Sequence, residues 1–205
     1  GVALDEQGRL LVADSVNHRI RLVTSEGVTT TMGGADGPRI EGRPTGIVRA
    51  RDGTVFVTTI TQAHRILTLS PDGTVSTLAG SAESGNADGR GEAARFSNPA
   101  ALAEGPDGLL YVADLGKGLI RRVDREGNVT TVAGRQWKQG ETKRPIDGDI
   151  AIARFYNPGS IAVASDGTIY VGEQKGQCVR EIRNGIVSTL CHCEGDVYGL
   201  LLDEQ

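Results

Sequence analysis

The sequence repeats one pattern along its length, and this repetition limits the folds that are open to it. The run LLVADSVNHRIRLV at residues 10–23 returns in altered form as LLYVADLGKGLIRRV at 109–123. Aligning the chain on itself gives four such units, three of which end at Gly34, Gly80 and Gly134. Self-similarity at a spacing of roughly 50 residues is typical of arrays of small supersecondary units.

Each unit contains four short apolar runs that are separated by turn residues. Asp-Gly pairs such as Asp107-Gly108 precede the second run and favour hairpins, because glycine accepts positive φ and aspartate bonds nearby backbone. Runs of this length, rich in Val, Ile and Thr, predict strands. In the third unit they span 100–104, 109–113, 119–123 and 128–133. Four-stranded antiparallel units at this period predict the blades of a β-propeller, each of which buries its faces against its neighbours.

The third unit and the connection before it carry a family resemblance. The segments YVAD, IRRVD and VTTVAG, with DGRGEAARFSNP leading into them, and the Asn-His of VNHRI at 16–20 resemble the NHL-repeat β-propeller family. The resemblance implies an all-β propeller of four-stranded antiparallel blades, usually six, which would need about 300 residues. The four nearly complete blades are therefore predicted to form part of a six-bladed propeller. Further residues or a partner chain would close it, and closure by four blades alone is the alternative.

This interpretation treats residues 1–205 as one incomplete propeller domain. We expect blades at approximately 1–34, 44–80, 99–134 and 158–193, with a fifth that begins at 197.

An acid and an arginine recur at matched places in three of the four units. The pairs are Asp14 with Arg21, Asp114 with Arg121, and Glu173 with Arg180. The second unit has Thr59 and Leu67 there, so it has lost both members together, which indicates that the two groups meet. A carboxylate and a guanidinium across one hairpin can form directional hydrogen bonds. We interpret the pairs as structural ion pairs, with ligand contact as the alternative.

The histidines do not form a clear metal-binding pattern. His18 and His64 occupy matching turn positions, but the third and fourth units have Gly118 and Gln177 there. Some NHL-like propellers, the peptidyl-hydroxyglycine amidating lyases, use histidine-bound metal. The innermost strands, however, offer only Arg49 and Glu104 and no histidine. We predict no metal site, no cofactor and no catalytic residue; a metal-assisted lyase or lactonase-like hydrolase with its site in the central channel is the alternative.

The cysteines suggest a cross-strand bridge. The stretch CVREIRNGIVSTLC has Asn184-Gly185, a strong hairpin signal, at its centre. If that turn forms, Cys178 faces Cys191 in a non-hydrogen-bonded pair, where side chains approach closely enough for a disulfide. Such a bond would favour an extracellular or secretory compartment, which is otherwise unknown. The alternative is two neighbouring thiols in a cytosolic protein.

The longest insertion, residues 135–151, predicts where a partner binds. It contains Trp137, the single Trp of the chain, and the four cations Arg135, Lys138, Lys143 and Arg144. Aromatic and arginine side chains often anchor interfaces. The alternatives are that Trp137 folds back onto the propeller rim or that the loop binds RNA. The net charge of −4 and an acidic to neutral insertion at 81–98 argue against a continuous basic face for nucleic acid.

Taken together, these patterns favour a non-catalytic recognition or scaffold module within a larger protein. Its partner would be another protein, bound through rim loops, or the remaining blades of the same propeller. The RNA-binding propeller is a second alternative. No apolar run in the sequence approaches the roughly 20 residues of a membrane-spanning helix.

Overall fold

A computed structural model of the protein describes residues 1–32, 37–70, 72–138 and 140–202. These residues form four antiparallel sheets with almost no helix, so the fold is all-β. The predicted end of the first unit, Gly34, lies outside the described residues. None of the helical segments in these four ranges has the length and apolar character needed to cross a membrane.

The first two sheets each contain four strands in sequential order. The first sheet consists of β1 (Val2–Leu4), β2 (Leu10–Asp14), β3 (Arg19–Val23) and β4 (Thr29–Thr31). The second sheet consists of β5 (Arg43–Arg49), β6 (Val55–Ile60), β7 (His64–Leu69) and β8 (Val75–Ser81).

The third and fourth sheets each gain a fifth, outermost strand from the connection that precedes them. The third sheet consists of β10 (Pro99–Glu104), β11 (Leu110–Asp114), β12 (Leu119–Val123) and β13 (Asn128–Ala133), with β9 (Gly89–Arg90) paired to β13. The fourth consists of β15 (Pro158–Val163), β16 (Ile169–Glu173), β17 (Cys178–Arg183) and β18 (Ile186–His192), with β14 (Gly148–Asp149) paired to β18. Each connection therefore bonds to the blade that it leads into.

Asp-Gly pairs form the tight turns between the first two strands of the second, third and fourth blades. Gly53 has a φ of +87°, and the amide of Thr54 donates to Asp52 Oδ1 at 2.9 Å. The turn at Gly108, with a φ of +76°, has the same form. A side chain with a Cβ atom would be strained at these positions, so glycine and the aspartate acceptor together end one strand and start the next.

Apolar layers fill the spaces between consecutive sheets. Each layer takes residues from two neighbouring sheets: Leu11 and Ile20 with Val57 and Leu67, Phe56 and Ile66 with Leu102 and Val112, and Ile120 and Ala133 with Ile161 and Val171. The innermost strands β1, β5, β10 and β15 contact one another in that order. Burying one such side chain contributes about 1.5 to 3 kcal/mol. This packing is that of a β-propeller and confirms the predicted fold class, while the number of blades stays a prediction.

Apolar side chains are exposed on the outward faces of the first and fourth sheets. Val2 and Leu4 are 64% and 58% exposed on the first sheet, and Ile186 and Leu190 are 51% and 59% exposed on the fourth. These two faces have no neighbouring sheet within the described part of the chain. Residues 193–202 contain no strand, so the fifth blade that we expect from 197 stays a prediction.

The register of the fourth sheet shows that the predicted Cys178–Cys191 disulfide is wrong. The Asn184-Gly185 turn forms, and pairing runs as expected from Arg183 with Ile186 to Arg180 with Thr189. An extra residue, Leu190, then shifts the pairing by one, so that Cys178 faces His192 and Cys191 faces Val179. A shift of one residue moves a side chain to the opposite face of the sheet. Cys178 is buried, Cys191 is exposed, and both are free thiols, so the argument for an oxidising compartment is lost.

Candidate functional site

The structure brings together all three acid and arginine pairs that the repeat indicates. Arg21 Nε lies 3.0 Å from Asp14 Oδ2, and both side chains are partly exposed. Arg121 Nη1 lies 3.5 Å from Asp114 Oδ2, and Arg180 Nη1 lies 2.5 Å from Glu173 Oε1. All four side chains of the latter two pairs are fully buried. A ligand cannot reach these two pairs in the folded protein.

Each of the two buried arginines also binds the connection that leads into its blade. Arg121 Nη2 lies 2.7 Å from Asp88 Oδ1 and donates to the carbonyl of Ala87 at 3.1 Å. Its guanidinium lies over the ring of Phe96, 5.2 Å from the centroid. Thr131 of β13 donates its hydroxyl to Asp88 at 2.9 Å. Arg121 therefore ties the connection, the outer strand and the middle of the blade together.

The fourth blade repeats this arrangement residue by residue. Arg180 bonds to Asp147 at 2.5 Å and to the carbonyl of Arg154 at 3.1 Å, and it lies 5.2 Å from the ring centroid of Phe155. We call each set the arginine brace: the first is Asp88, Phe96, Asp114 and Arg121, and the second is Asp147, Phe155, Glu173 and Arg180. Sequence reasoning missed Asp88, Asp147 and the two phenylalanines. Their signal is the repeated Asp-Gly that precedes Arg-Phe in both connections.

Burial raises the pKa of the two fully buried acids of the braces, Asp114 and Glu173. It raises the pKa of Asp114 to about 7, although the amide of Ser97 donates to the carboxylate at 2.7 Å and Arg121 lies beside it. Burial also raises the pKa of Glu173. Desolvation outweighs the neighbouring cation in both cases, because the charged form loses its water.

The two turn histidines contact the backbone of the next connection. His18 Nδ1 hydrogen-bonds to the carbonyl of Gly42, and His64 Nδ1 accepts the amide of Asn98 at 3.1 Å. Burial lowers the pKa of His64, which favours the neutral form that can accept this bond. Both residues therefore join one blade to the start of the next.

Arg49 and Glu104, the two charged residues predicted for the innermost strands, both lie in ion pairs and both contact a neighbouring blade. Arg49 pairs with Glu6 of the first blade. Glu104 accepts the amide of Arg51 at 2.8 Å and lies 2.6 Å from Arg125 Nη2. Across the four described ranges, no cluster of three or more His, Cys, Asp or Glu side chains is arranged to hold a metal ion.

The insertion between the third and fourth blades is anchored by its tryptophan. Trp137 Nε1 donates to the carbonyl of Phe155 at 3.3 Å, and the guanidinium of Arg154 lies 4.8 Å from the ring centroid. Glu141 accepts from Arg154 Nη2 at 3.1 Å and from the amide of Lys138 at 2.7 Å. Hydrogen bonds from Arg154 lower the pKa of Glu141 to about 2. Trp137, Glu141 and Arg154 form what we call the tryptophan anchor.

The cations of the insertion point into solvent around this anchor. Arg135, Lys138, Lys143 and Arg144 are all exposed, and none has an ion-pair partner among the residues that the structure describes. Two open grooves flank Trp137. One, of about 450 Å³, is lined by Arg144 and Arg154; the other, of about 290 Å³, is lined by Lys138 and Lys143. The five candidate residues therefore share one rim, with Trp137 folded back as the support.

The blades, the braces and the rim insertion define a β-propeller, and parts of its sequence are similar to NHL repeats. A family model described as NHL repeat matches residues 1–21. The chain is 39% identical over 85 residues to NHL repeat-containing protein 2 of Gallus gallus, covering 41% of this chain and 12% of that protein. The resemblance to NHL-repeat propellers is thus confirmed.

Two further proteins are similar over more of the chain. Virginiamycin B lyase of Nocardia farcinica is 32% identical over 130 residues, covering 63% of this chain and 36% of that protein. A solved structure of a Bacteroides thetaiotaomicron protein of unknown function has 26% identity and a TM-score of 0.74, covering 88% of this chain and 46% of that chain. The chain spans between 8% and 36% of the length of the curated relatives that it matches.

Proposed function

We propose that this propeller is a non-catalytic recognition module that binds a protein partner through one rim, within a larger protein. The observation that carries the proposal is the state of the rim insertion. Its tryptophan anchor is fully engaged, while Arg135, Lys138, Lys143 and Arg144 are exposed and unpaired in the described structure. A rigid support that presents free cations suits recognition, because little order is lost on binding.

The arrangement of the remaining charged groups supports recognition over catalysis. A catalytic acid, base or metal ligand must be free to reach a substrate. Here Arg49 and Glu104 are held by Glu6 and Arg125, and the ring Nδ1 atoms of His18 and His64 are hydrogen-bonded to backbone. Because these groups are held by other residues, the charged side chains that a ligand can reach lie mainly on the rim.

The two exposed apolar faces support an additional set of contacts. Val2 and Leu4 on one side and Ile186 and Leu190 on the other would be covered by the remaining blades of a six-bladed propeller. Such blades could belong to the same chain or to a partner chain. A dye that fluoresces on apolar surfaces should bind this 205-residue chain and lose that binding when the propeller is closed.

The recognition proposal can be tested by site-specific crosslinking. A photoreactive amino acid in place of Arg144 should capture one discrete protein, whereas the same probe in place of Arg122 on the exposed side of β12 should not. The captured protein is then purified, and its affinity is measured for the unmodified chain, for Arg144→Glu and for Arg122→Glu. We expect weaker binding for Arg144→Glu alone. Equal loss in both variants, or no discrete capture at position 144, would contradict the proposal.

A lyase is the second candidate, and the similarity to virginiamycin B lyase favours it. In this case the site would lie in the central channel and would use a metal ion. Incubation of the chain with virginiamycin B and divalent cations, followed by liquid chromatography and tandem mass spectrometry, tests it, because ring opening by elimination leaves the mass unchanged. The recognition proposal expects unchanged virginiamycin B, and a linearised or hydrolysed product would overturn it in favour of the enzyme.

A further inference from the structure

One groove on the rim collects most of the lysines of the chain. It lies between the turn that joins β11 to β12 and the insertion after β13, and it has a volume of about 290 Å³. Lys117 from the turn and Lys138 and Lys143 from the insertion line it. These are three of only four lysines in the sequence, the fourth being Lys175. We call this site the lysine groove.

The positive charge of the lysine groove is not balanced by its own walls. Glu141 is the single acid that lines it, and that carboxylate is already bound by Arg154 and by the amide of Lys138. None of the three lysines lies within ion-pair distance of a carboxylate in the described ranges. The whole chain carries a net charge of −4, so the groove is a local reversal of the charge of the protein.

The groove wall also contains a free hydrogen-bond donor. Gln136 lines the groove, and its Nε2 atom is shielded from solvent without a hydrogen-bond partner among the described residues. A shielded amide donor is destabilising until an acceptor reaches it. An oxygen acceptor that enters between the lysines would satisfy this amide and the ammonium groups at the same time.

We propose that the lysine groove binds a carboxylate-rich segment of the protein partner, in which aspartate or glutamate side chains enter the groove. This inference rests on the proposed function, since it names the chemistry of the partner at the same rim. Carboxylates match both features of the site, because they accept bonds from ammonium groups and from a side-chain amide.

The same residues fit an acidic peptide better than a single-stranded nucleic acid. Nucleic acids without defined sequence are held by aromatic faces that stack on bases and by a basic stripe that follows the phosphates. Here one face of Trp137 is covered by Arg154, and the indole N–H is bonded to Phe155. The preceding connection carries Glu83, Asp88 and Glu92, so the basic region does not continue along the rim.

The experiment uses hexaglutamate peptide as the probe and the intrinsic fluorescence of Trp137 as the readout. Because Trp137 is the only tryptophan of the chain and lines the groove, its signal reports binding here, and the lysine variants distinguish this site from the neighbouring groove of Arg144 and Arg154. Hexaglutamate should cause a saturable change that added salt weakens, and hexaglutamine should cause none. Lys138→Glu and Lys143→Glu should each weaken binding about tenfold, because the probe then meets a like charge.

The matched control is Lys175→Glu, which alters the fourth lysine outside the groove and should leave the affinity unchanged. The proposal is overturned if hexaglutamate leaves the fluorescence unchanged, or if Lys175→Glu weakens binding as much as Lys138→Glu. It is also overturned if an oligouridylate of equal charge binds more tightly than hexaglutamate, which would assign the groove to RNA. If hexaglutamate fails while crosslinking at position 144 still captures a protein, only this inference falls and the recognition role stands.

Discussion

Arg121 Nη2 and Asp88 Oδ1 lie 2.7 Å apart, and this ion pair joins the third blade to the connection that leads into it. The two residues are far apart in sequence, and they meet because the connection returns along the outer edge of the blade as β9. Arg121 is fully buried, whereas Asp88 is about half exposed. Asp88 therefore lies at the outer edge of the blade and pairs with a cation that is buried inside it.

Removing the buried arginine should destabilise the fold strongly. Arg121→Leu leaves Asp114 buried without its counter-ion, so we expect a loss of about 3 to 5 kcal/mol in the free energy of unfolding. Urea denaturation followed by circular dichroism measures it. The matched control is Arg122→Leu, an exposed neighbour on the same strand, for which we expect a change within about 0.5 kcal/mol. Similar losses in the two variants would contradict a structural role for the brace.

The interaction between Asp114 and Arg121 can be isolated with a double-mutant cycle. Unfolding free energies of Asp114→Ala, Arg121→Ala and the double variant should not be additive, because the two side chains lie within one buried polar network. We expect a coupling energy of roughly 1 to 3 kcal/mol. A coupling of zero would show that the side chains act independently despite their separation of 3.5 Å.

The same acid should give the fold a specific pH dependence. Burial raises the pKa of Asp114 to about 7, so below that pH the folded chain binds a proton here that the unfolded chain releases until about pH 4. Stability from this group is therefore lost as pH rises through 7. We expect the unfolding free energy of the unmodified chain, relative to Asp114→Asn, to increase as pH falls from alkaline to mildly acidic. A difference that is constant with pH would contradict the raised pKa.

The tryptophan anchor makes a prediction about Glu141. Hydrogen bonds from Arg154 lower the pKa of Glu141 to about 2, and Arg154→Leu should return it toward its ordinary range near 4.3. Carbon-detected NMR titration of the carboxyl measures the change. Arg95→Leu, which removes a different arginine at the rim, serves as the control and should leave Glu141 unaffected. A Glu141 pKa that stays low without Arg154 would mean that another group sets it.

The three cysteines should differ in reactivity. Burial raises the pKa of Cys178 to about 12, whereas Cys191 is exposed. Because the thiolate is the reacting species, a thiol reagent should label Cys191 quickly and Cys178 only after unfolding. Intact mass under non-reducing conditions should show three free thiols, and Cys191→Ser should remove the rapid phase. A protein two hydrogens lighter than the reduced mass would instead show a disulfide.

The fold could be predicted from the sequence because the repeat records it in two independent ways. The apolar runs mark the strands, and the Asp-Gly pairs mark the hairpins between them, as at Asp52-Gly53 and Asp107-Gly108. Spacing within one hairpin also pointed to the meeting of Asp114 with Arg121. Local signals of this kind survive in a single sequence, since each one involves neighbours along the chain.

Contacts that depend on the tertiary path could not be predicted as well. Asp88 reaches Arg121 only because the connection folds back along the blade; the repeated Asp-Gly and Arg-Phe mark the two connections as equivalent but do not indicate that return. The predicted pairing of Cys178 with Cys191 was wrong for a related reason. Leu190 is an extra residue in β18, and no turn signal marks it. The same shift occurs at Val132 in β13 and Leu78 in β8, so the bulge belongs to the repeat although each copy looks like ordinary strand.

The attachment of β9 and β14 to the blades that follow them changes where one module of this protein begins. A fragment cut at Pro99 would leave behind the outer strand and the acid that neutralises Arg121, whereas a fragment cut near Ala82 would keep both. Any exchange of blades between related propellers, by recombination or by engineering, should therefore move each sheet together with the preceding connection, whose short strand pairs with that sheet.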